Sequence, residues 1–386
     1  MLSAGGPVAR TMATAWVSKG LDDVSVGDSR ISWVGGATGE LVYRGFDVLG
    51  LVPGVPFESV VHLLLFGNPP DRDPSREVID ALERARRIAP AVLDAADHLP
   101  ADLPPLEALR TLISLLGDGS TSYPPRVEEG YALIARTPIL LARFVRRSHG
   151  RPPIEPRRGL SHAANYLWML TGEEPRAERV RALEGYLDLL ADHGMNASTF
   201  SLRIAISTQS DLFSAATAAL ATLKGPIHGG APSRVSEMLD SIGSTDRARS
   251  WIESRLASGD VLYGFGHRAY KTDDPRAGAL HAIAGSVADP ARLDLAESVE
   301  RTALAVLREA HPGARLFTNV EYYSAVVLEA VGLPRELFTP TFAVARTAGW
   351  VAHAIEQSTD NRLIRPEIAY VGPPKGRRWP RPRGPP

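Results

Sequence analysis

The sequence predicts a mainly α-helical protein that opens with a short β-hairpin, and three observations carry this. Polar and apolar residues alternate around a Gly-rich turn from Ile31 to Arg44, the period of a half-buried strand pair. From Phe57 onward the apolar residues take helical spacing, as in Val60, Val61, Leu64 and Leu65 and again in Val180, Leu183, Leu187 and Leu190. Each set forms one stripe on a helix. The 31 prolines and 34 glycines fall mostly between such stretches and cut the chain into many short helices.

In chain order, residues 1–20 hold Arg10 and Lys19 and no acid. They read as a disordered, frayed or mis-started N-terminus, in preference to an organelle transit peptide. After the hairpin and the first helices, Arg151–Pro156 is a Pro-rich surface loop, and Ala215 to Leu223 is a core helix segment. A further helix runs through Arg234–Leu239, and Phe338 to Gln357 is apolar on nearly every face, so it predicts a buried helix. The chain ends, over 371–386, in a basic, Pro-rich solvated tail with Lys375, Arg377, Arg378, Arg381 and Arg383. No internal repeat is visible.

A length of 386 residues suggests two or three folding units. With 43 basic and 44 acidic side chains the formal charge is −1, which argues against a nucleic-acid partner. No apolar run approaches the roughly 18 residues of a membrane span. The absence of cysteine excludes disulfides, thiolate zinc sites, iron-sulfur clusters and cysteine nucleophiles, and suits a reducing, cytoplasmic setting. No G-x-S-x-G elbow, P-loop or H-E-x-x-H occurs, and the ten histidines lack metal-ligand spacing, so no metal is expected. A catalyst here works with His, carboxylate and Arg.

Three segments place polar groups where burial is expected. In Lys224–Ser233, His228 lies in a Gly-rich turn ahead of a helix whose first turn suits Pro232. The positive helix end disfavours imidazolium, so His228 reads either as a structural turn residue or as a neutral hydrogen-bond donor. In Val261–Arg276, Gly264, Gly266 and Ala269 fit the dinucleotide pattern G-x-G-x-x-A. That reading is rejected because Lys271 to Pro275 forms a turn where a Rossmann site needs a helix. The segment is then either an exposed charged loop or a ligand loop with backbone amides, His267, Lys271 and Arg276. In the third segment Arg346 interrupts the apolar helix with no acid three or four positions away. It is a snorkelling arginine at a helix edge, or its partner is a distant acid or a bound anion such as a carboxylate.

Together with Asp192–Thr199, Asn319–Ser324 and Asn361–Pro366, these segments resemble the citrate synthase family. The resemblance runs in the family's order from Gly20-Leu-Asp-Asp and Tyr43-Arg-Gly-Phe-Asp47 to Tyr370-Val-Gly372, over about nine-tenths of the chain. It implies a citrate synthase-like, almost wholly helical homodimer. The large domain would comprise 21–228 and 336–370, and the small domain 229–335. It implies an acyltransferase that condenses acetyl-CoA with oxaloacetate to citrate, with no metal and no cofactor beyond the co-substrate. By the resemblance His228, His267 and Glu321 are catalytic. His193, His228, His267, Arg276, Arg346 and Arg365 hold the dicarboxylate, Arg365 reaching in from the partner subunit. Val261, Leu262, Tyr263, Gly264, Phe265, Gly266, Lys271 and Asn319 face coenzyme A.

The sequence departs from the family at three points. Glu321 stands where an aspartate is usual, Gly194 replaces the glutamate after His193, and Pro232 replaces an asparagine. Glu321 adds one methylene, about 1.5 Å of reach, and a misplacement of about 1 Å can cost on the order of 100-fold in rate. The readings carried forward are a citrate synthase with Glu321 as base, a 2-methylcitrate synthase using propionyl-CoA, and a low-activity homologue that binds dicarboxylate or coenzyme A.

Overall fold

A computed structural model describes residues 18–21, 24–70, 75–117, 119, 122–229, 231–267 and 269–373. In it the hairpin forms as expected. Strands β1 (Ser32–Gly35) and β2 (Glu40–Tyr43) pair antiparallel, with Ser32 opposite Tyr43 and Gly35 opposite Glu40. A two-residue strand, β3 (Phe46–Asp47), adds to the free edge of β2. Two residues carry no readable period, which is why alternation alone does not reveal it. Leu41 and Tyr43 enter the core.

Fifteen α-helices follow among the described residues. The first six are α1 (Phe57–Phe66), α2 (Ser75–Ala85), α3 (Pro90–His98), α4 (Pro105–Ser114), α5 (Val127–Ser148) and α6 (His162–Thr171). Then come α7 (Ala177–Leu190), α8 (Ala197–Ser207) and α9 (Leu212–Leu223). A second run comprises α10 (Ala231–Ile242), α11 (Ala248–Ala257), α12 (Pro275–Val287), α13 (Pro290–Ala310) and α14 (Val320–Ala330), and α15 (Phe338–Thr359) closes the series. Proline stands in the first turn of α3, α4, α12 and α13, and Asp or Asn side chains cap α8, α9, α12, α13 and α14. These are the start signals that fragment the helical pattern.

The apolar stretch from Phe338 becomes α15, which packs against α1, α5, α7, α8 and α9 and buries Trp350 completely. The helices α10 to α14 pack largely on one another, and α12 and α14 also contact α7. Residues that position chemistry therefore converge from α7, α8, α12, α14 and α15.

The chain divides into two units, Met1–Asp28 with Ile364–Pro386, and Ser29–Leu363. The first contains a 3-10 turn at Lys19–Leu21 and, over 364–371, chain without regular structure. The second holds every strand and α-helix named above. Of the expected disordered start, residues 1–17 lie outside the described residues, as do residues 374–386 of the basic tail. Among the described residues no helix is long and apolar enough to cross a membrane.

Candidate active site

The loop between α7 and α8 carries His193. Gly349 lets α15 lie directly on this loop, since a Cβ there would sit 2.4 Å from the Ala191 carbonyl and from Asp192 Oδ1. The next residue, Gly194, has φ +56°, a left-handed conformation that glycine adopts without the strain other residues meet. The positive φ gives glycine at position 194 a local physical reason. The His193 Nε2 lies 3.2 Å from the Tyr270 hydroxyl, and its ring meets that of His267 edge-on with centroids 5.4 Å apart.

The hydrogen bonds fix the protonation of the other two histidines. His228 Nε2 lies 3.2 Å from the backbone N of Ser198, which can only donate, so the ring proton belongs on Nδ1. His267 Nδ1 accepts from the backbone N–H groups of Ala269 at 3.0 Å and Tyr270 at 3.1 Å, which leaves its proton on Nε2. Both imidazoles are held neutral. Burial and then Arg346 press His228 down to about 4. Burial and Arg276 do the same to His267, Asp274 opposing and Lys271 adding, again to about 4. His193 is pushed well below the usual histidine range by burial, with Arg276, His267 and Arg346 contributing. The sequence reading credited the neutral state of His228 to the start of α10. The amide that reaches the ring instead belongs to the first turn of α8, thirty residues earlier in the chain.

Two buried guanidinium groups flank the histidines. Arg276 is 2% exposed and makes a two-point contact with Asp274, Nε to Oδ1 at 3.0 Å and Nη2 to Oδ2 at 2.8 Å. Asp274 also caps α12 and accepts the Val320 N–H at the start of α14, 3.1 Å away. One carboxylate thereby ties Arg276 to the helix that carries Glu321. Sequence reasoning treated Asp274 as part of a turn, although Asp-Pro is a helix-start signature that could have marked it. Arg346 is 1% exposed. Its Nε donates to the Leu190 carbonyl at 2.8 Å, whereas its Nη1 is buried without a hydrogen-bond partner. Phe342 links it to His228, lying 4.7 Å beneath the guanidinium and 6.4 Å from the imidazole, centroid to centroid.

Glu321 sits in the first turn of α14, its backbone N–H held by the cap residue Asn319 at 3.0 Å. Burial raises its carboxyl to about 7, with Arg276 working against the rise and Asp274 adding to it. A carboxyl poised near neutrality suits proton transfer.

Of the residues expected on the coenzyme A side, Gly264 and Gly266 are stitched to the approach to α14. The Asn319 N–H donates to Gly264 O at 2.9 Å, its side-chain amide to Gly266 O at 2.8 Å, and Gly266 N to Phe317 O at 2.8 Å. Phe265 packs on Tyr322 at 5.2 Å, Leu262 is buried, and Val261, Tyr263 and Lys271 are exposed. Arg365 is exposed and belongs to the unit formed by the two chain ends. The structure thus gathers His193, His228, His267, Arg276, Arg346 and Glu321.

Comparison with known proteins gives the family. The model of the citrate synthase C-terminal domain matches residues 20–367. The chain belongs to the citrate synthase family. It is 38% identical over 368 residues to the citrate synthase of Haloferax volcanii, covering 92% of this chain and 96% of that one. The 2-methylcitrate synthase of Mycobacterium tuberculosis is 36% identical, with 92% and 91% covered. Among solved structures, the citrate synthase of Thermoplasma acidophilum in ternary complex with carboxymethyl coenzyme A and oxaloacetate superposes with a TM-score of 0.88. That pair is 30% identical, with 95% and 98% of the chains covered. The family expected from the motifs, the mainly helical fold and the condensing, acyl-transferring enzyme class all agree with these findings.

Proposed function

We propose that the cluster condenses acetyl-CoA with oxaloacetate and hydrolyses the resulting citryl-CoA. Oxaloacetate is held by His193, Arg276 and Arg346, with Arg365 of a second subunit completing the site in a homodimer. Glu321 takes a methyl proton from the acetyl thioester, and the electron pair moves through the new C=C bond onto the thioester oxygen, which the His228 Nδ1–H holds. The enolate carbon attacks the ketone carbon, whose oxygen gains negative charge and is met by the His267 Nε2–H. Water then cleaves the C–S bond and releases citrate and the coenzyme A thiol. What carries this reading is the combination of a carboxyl near 7 with two imidazoles whose remaining ring nitrogens carry the proton. Asn319, Lys271 and the 261–266 backbone are assigned to coenzyme A.

The small domain is assigned to 229–335, closing over the substrates and excluding water. The two ends of this segment lie together, Ser233 Oγ donating to Arg335 O at 3.1 Å and Thr339 Oγ1 to Gly229 O at 2.8 Å. The setting is cytoplasmic. Free-thiol release from acetyl-CoA with oxaloacetate tests the reading, and a folded protein with no release above background ends it. The 36% identity to a 2-methylcitrate synthase favours propionyl-CoA as the second reading. One methylene changes selectivity by about 1–3 kcal/mol, so the ratio of kcat/KM for the two thioesters decides between them.

A further inference from the structure

Behind the dicarboxylate residues lies a buried polar chain that the proposed chemistry does not use. Asp192 is fully buried and accepts from the Gly194 N–H at 2.9 Å and from the Ser32 hydroxyl. His353, also fully buried, places Nε2 3.3 Å from Asp192 Oδ1 and 3.4 Å from Oδ2. The other ring nitrogen, Nδ1, lies 3.0 Å from Nη1 of Arg203. A guanidinium can only donate, so Nδ1 accepts and the His353 proton sits on Nε2, directed at Asp192. Arg203 is itself held by Gln357 at 2.9 Å and Glu356 at 2.8 Å.

This chain meets the candidate site along one face of α15. Arg346 bonds Leu190 O, the Gly349 N–H bonds Ala191 O at 3.1 Å, and His353 faces Asp192, so three positions of the helix grip three consecutive residues. Tyr43 reinforces the same stretch, its hydroxyl lying 2.9 Å from Asp192 O and 3.1 Å from Asp192 N. His193 is the next residue. The Asp192 carboxylate bonds the amide on its far side, so the backbone on both sides of His193 is fixed.

We infer that His353 is a positioning residue for the dicarboxylate site, orienting Asp192 and through it the His193 loop against Arg346. This rests on the reading of the cluster as an oxaloacetate site. His353 touches no substrate. It sets the geometry in which His193 and Arg346 are presented, and holding that geometry before binding spares the ordering cost during it.

Two isopolar variants separate positioning from packing. In His353→Gln the amide nitrogen reaches the Nε2 position and keeps the donor to Asp192. In His353→Asn the amide stops at the Nδ1 position and loses it. Oxaloacetate binding by calorimetry, KM for each substrate, and thermal melting are measured for both. The expected result is an oxaloacetate Kd raised on the order of 10- to 100-fold in His353→Asn, acetyl-CoA KM within about threefold of the starting protein, and near-complete rescue in His353→Gln. Equal oxaloacetate affinity in the two variants, or a lowered melting temperature in His353→Asn with unchanged affinity, overturns the inference. Unsubstituted protein that binds oxaloacetate without releasing thiol overturns the proposed reaction and leaves this comparison intact. Unsubstituted protein that does not bind oxaloacetate overturns both.

Discussion

Replacing Arg346 by Met has two effects of opposite sign, and the structure gives the size of each. In the free protein Nη1 is buried and unpartnered, which costs about 1–3 kcal/mol for a stranded donor. Methionine removes that group and the buried charge while keeping most of the side-chain volume. It also removes the donor to Leu190 O, a loss of about 1 kcal/mol, whereas Asp192 keeps Ser32, Gly194 and His353 as donors. The net expectation is a gain of about 1 kcal/mol, or about 1–2 °C in a chain of this length. In the proposed complex oxaloacetate loses a buried charge-assisted contact, worth about 3–5 kcal/mol, so its affinity falls by roughly two to nearly four orders of magnitude. Thermal unfolding with and without oxaloacetate reads both. At about 100 times the Kd the starting protein gains about 2.7 kcal/mol from ligand, and Arg346→Met gains almost none. A variant that melts below the starting protein without ligand and shifts as strongly with it refutes the reasoning, because Arg346 would then be a structural cation.

The remaining predictions concern titration. With Glu321 near 7 and His228 and His267 near 4 in the ligand-free protein, kcat/KM for thiol release rises with pH through about 7 and levels off, the imidazoles being neutral throughout. A profile already flat from pH 5.5 to 8 rules out Glu321 as the titrating base. A second carboxyl is expected to act on stability alone. Asp188 is 1% exposed, and burial, then Glu184 and Glu58, raise it well above the usual carboxylate range. The folded chain keeps this proton while the unfolded chain loses it near pH 4, so stability is fully present below that pH and falls as pH rises toward the folded value. Asp188→Asn therefore raises stability at pH 7 and leaves it almost unchanged at pH 4, as denaturant melts at the two pH values would record. An equal change at both pH values contradicts the assignment.

How much of this was readable in advance depended on whether the signal was local. The hairpin, the apolar α15 and the oddity of Arg346 are visible within windows of a few residues, and the structure bears out that no acid neighbours Arg346 along its own helix. The motifs carried the histidines, Arg276 and Glu321. The supporting partners are non-local. Ser198 reaches His228 from another helix, Tyr270 reaches His193 across 77 positions, and Asp192 and His353 meet across 161. No periodicity encodes such pairs, because tertiary packing of α15 against the α7–α8 loop creates them. Gly194 looked like a departure in sequence and is understandable only once its positive φ is known.

The double anchoring of α14 bears on how the Glu321 side chain is accommodated in the proposed reaction. The start of this helix is fixed by Asn319 on one side and by the Asp274–Val320 contact on the other, and Asp274 in turn is committed to Arg276. Retracting the helix by the length of a methylene would drag an arginine and a glycine loop along with it. Accommodation of the extra carbon therefore falls to rotation about the Glu321 side-chain bonds and to its immediate neighbours. Variants selected for faster turnover should accordingly change residues that touch this carboxyl and leave the two anchors untouched.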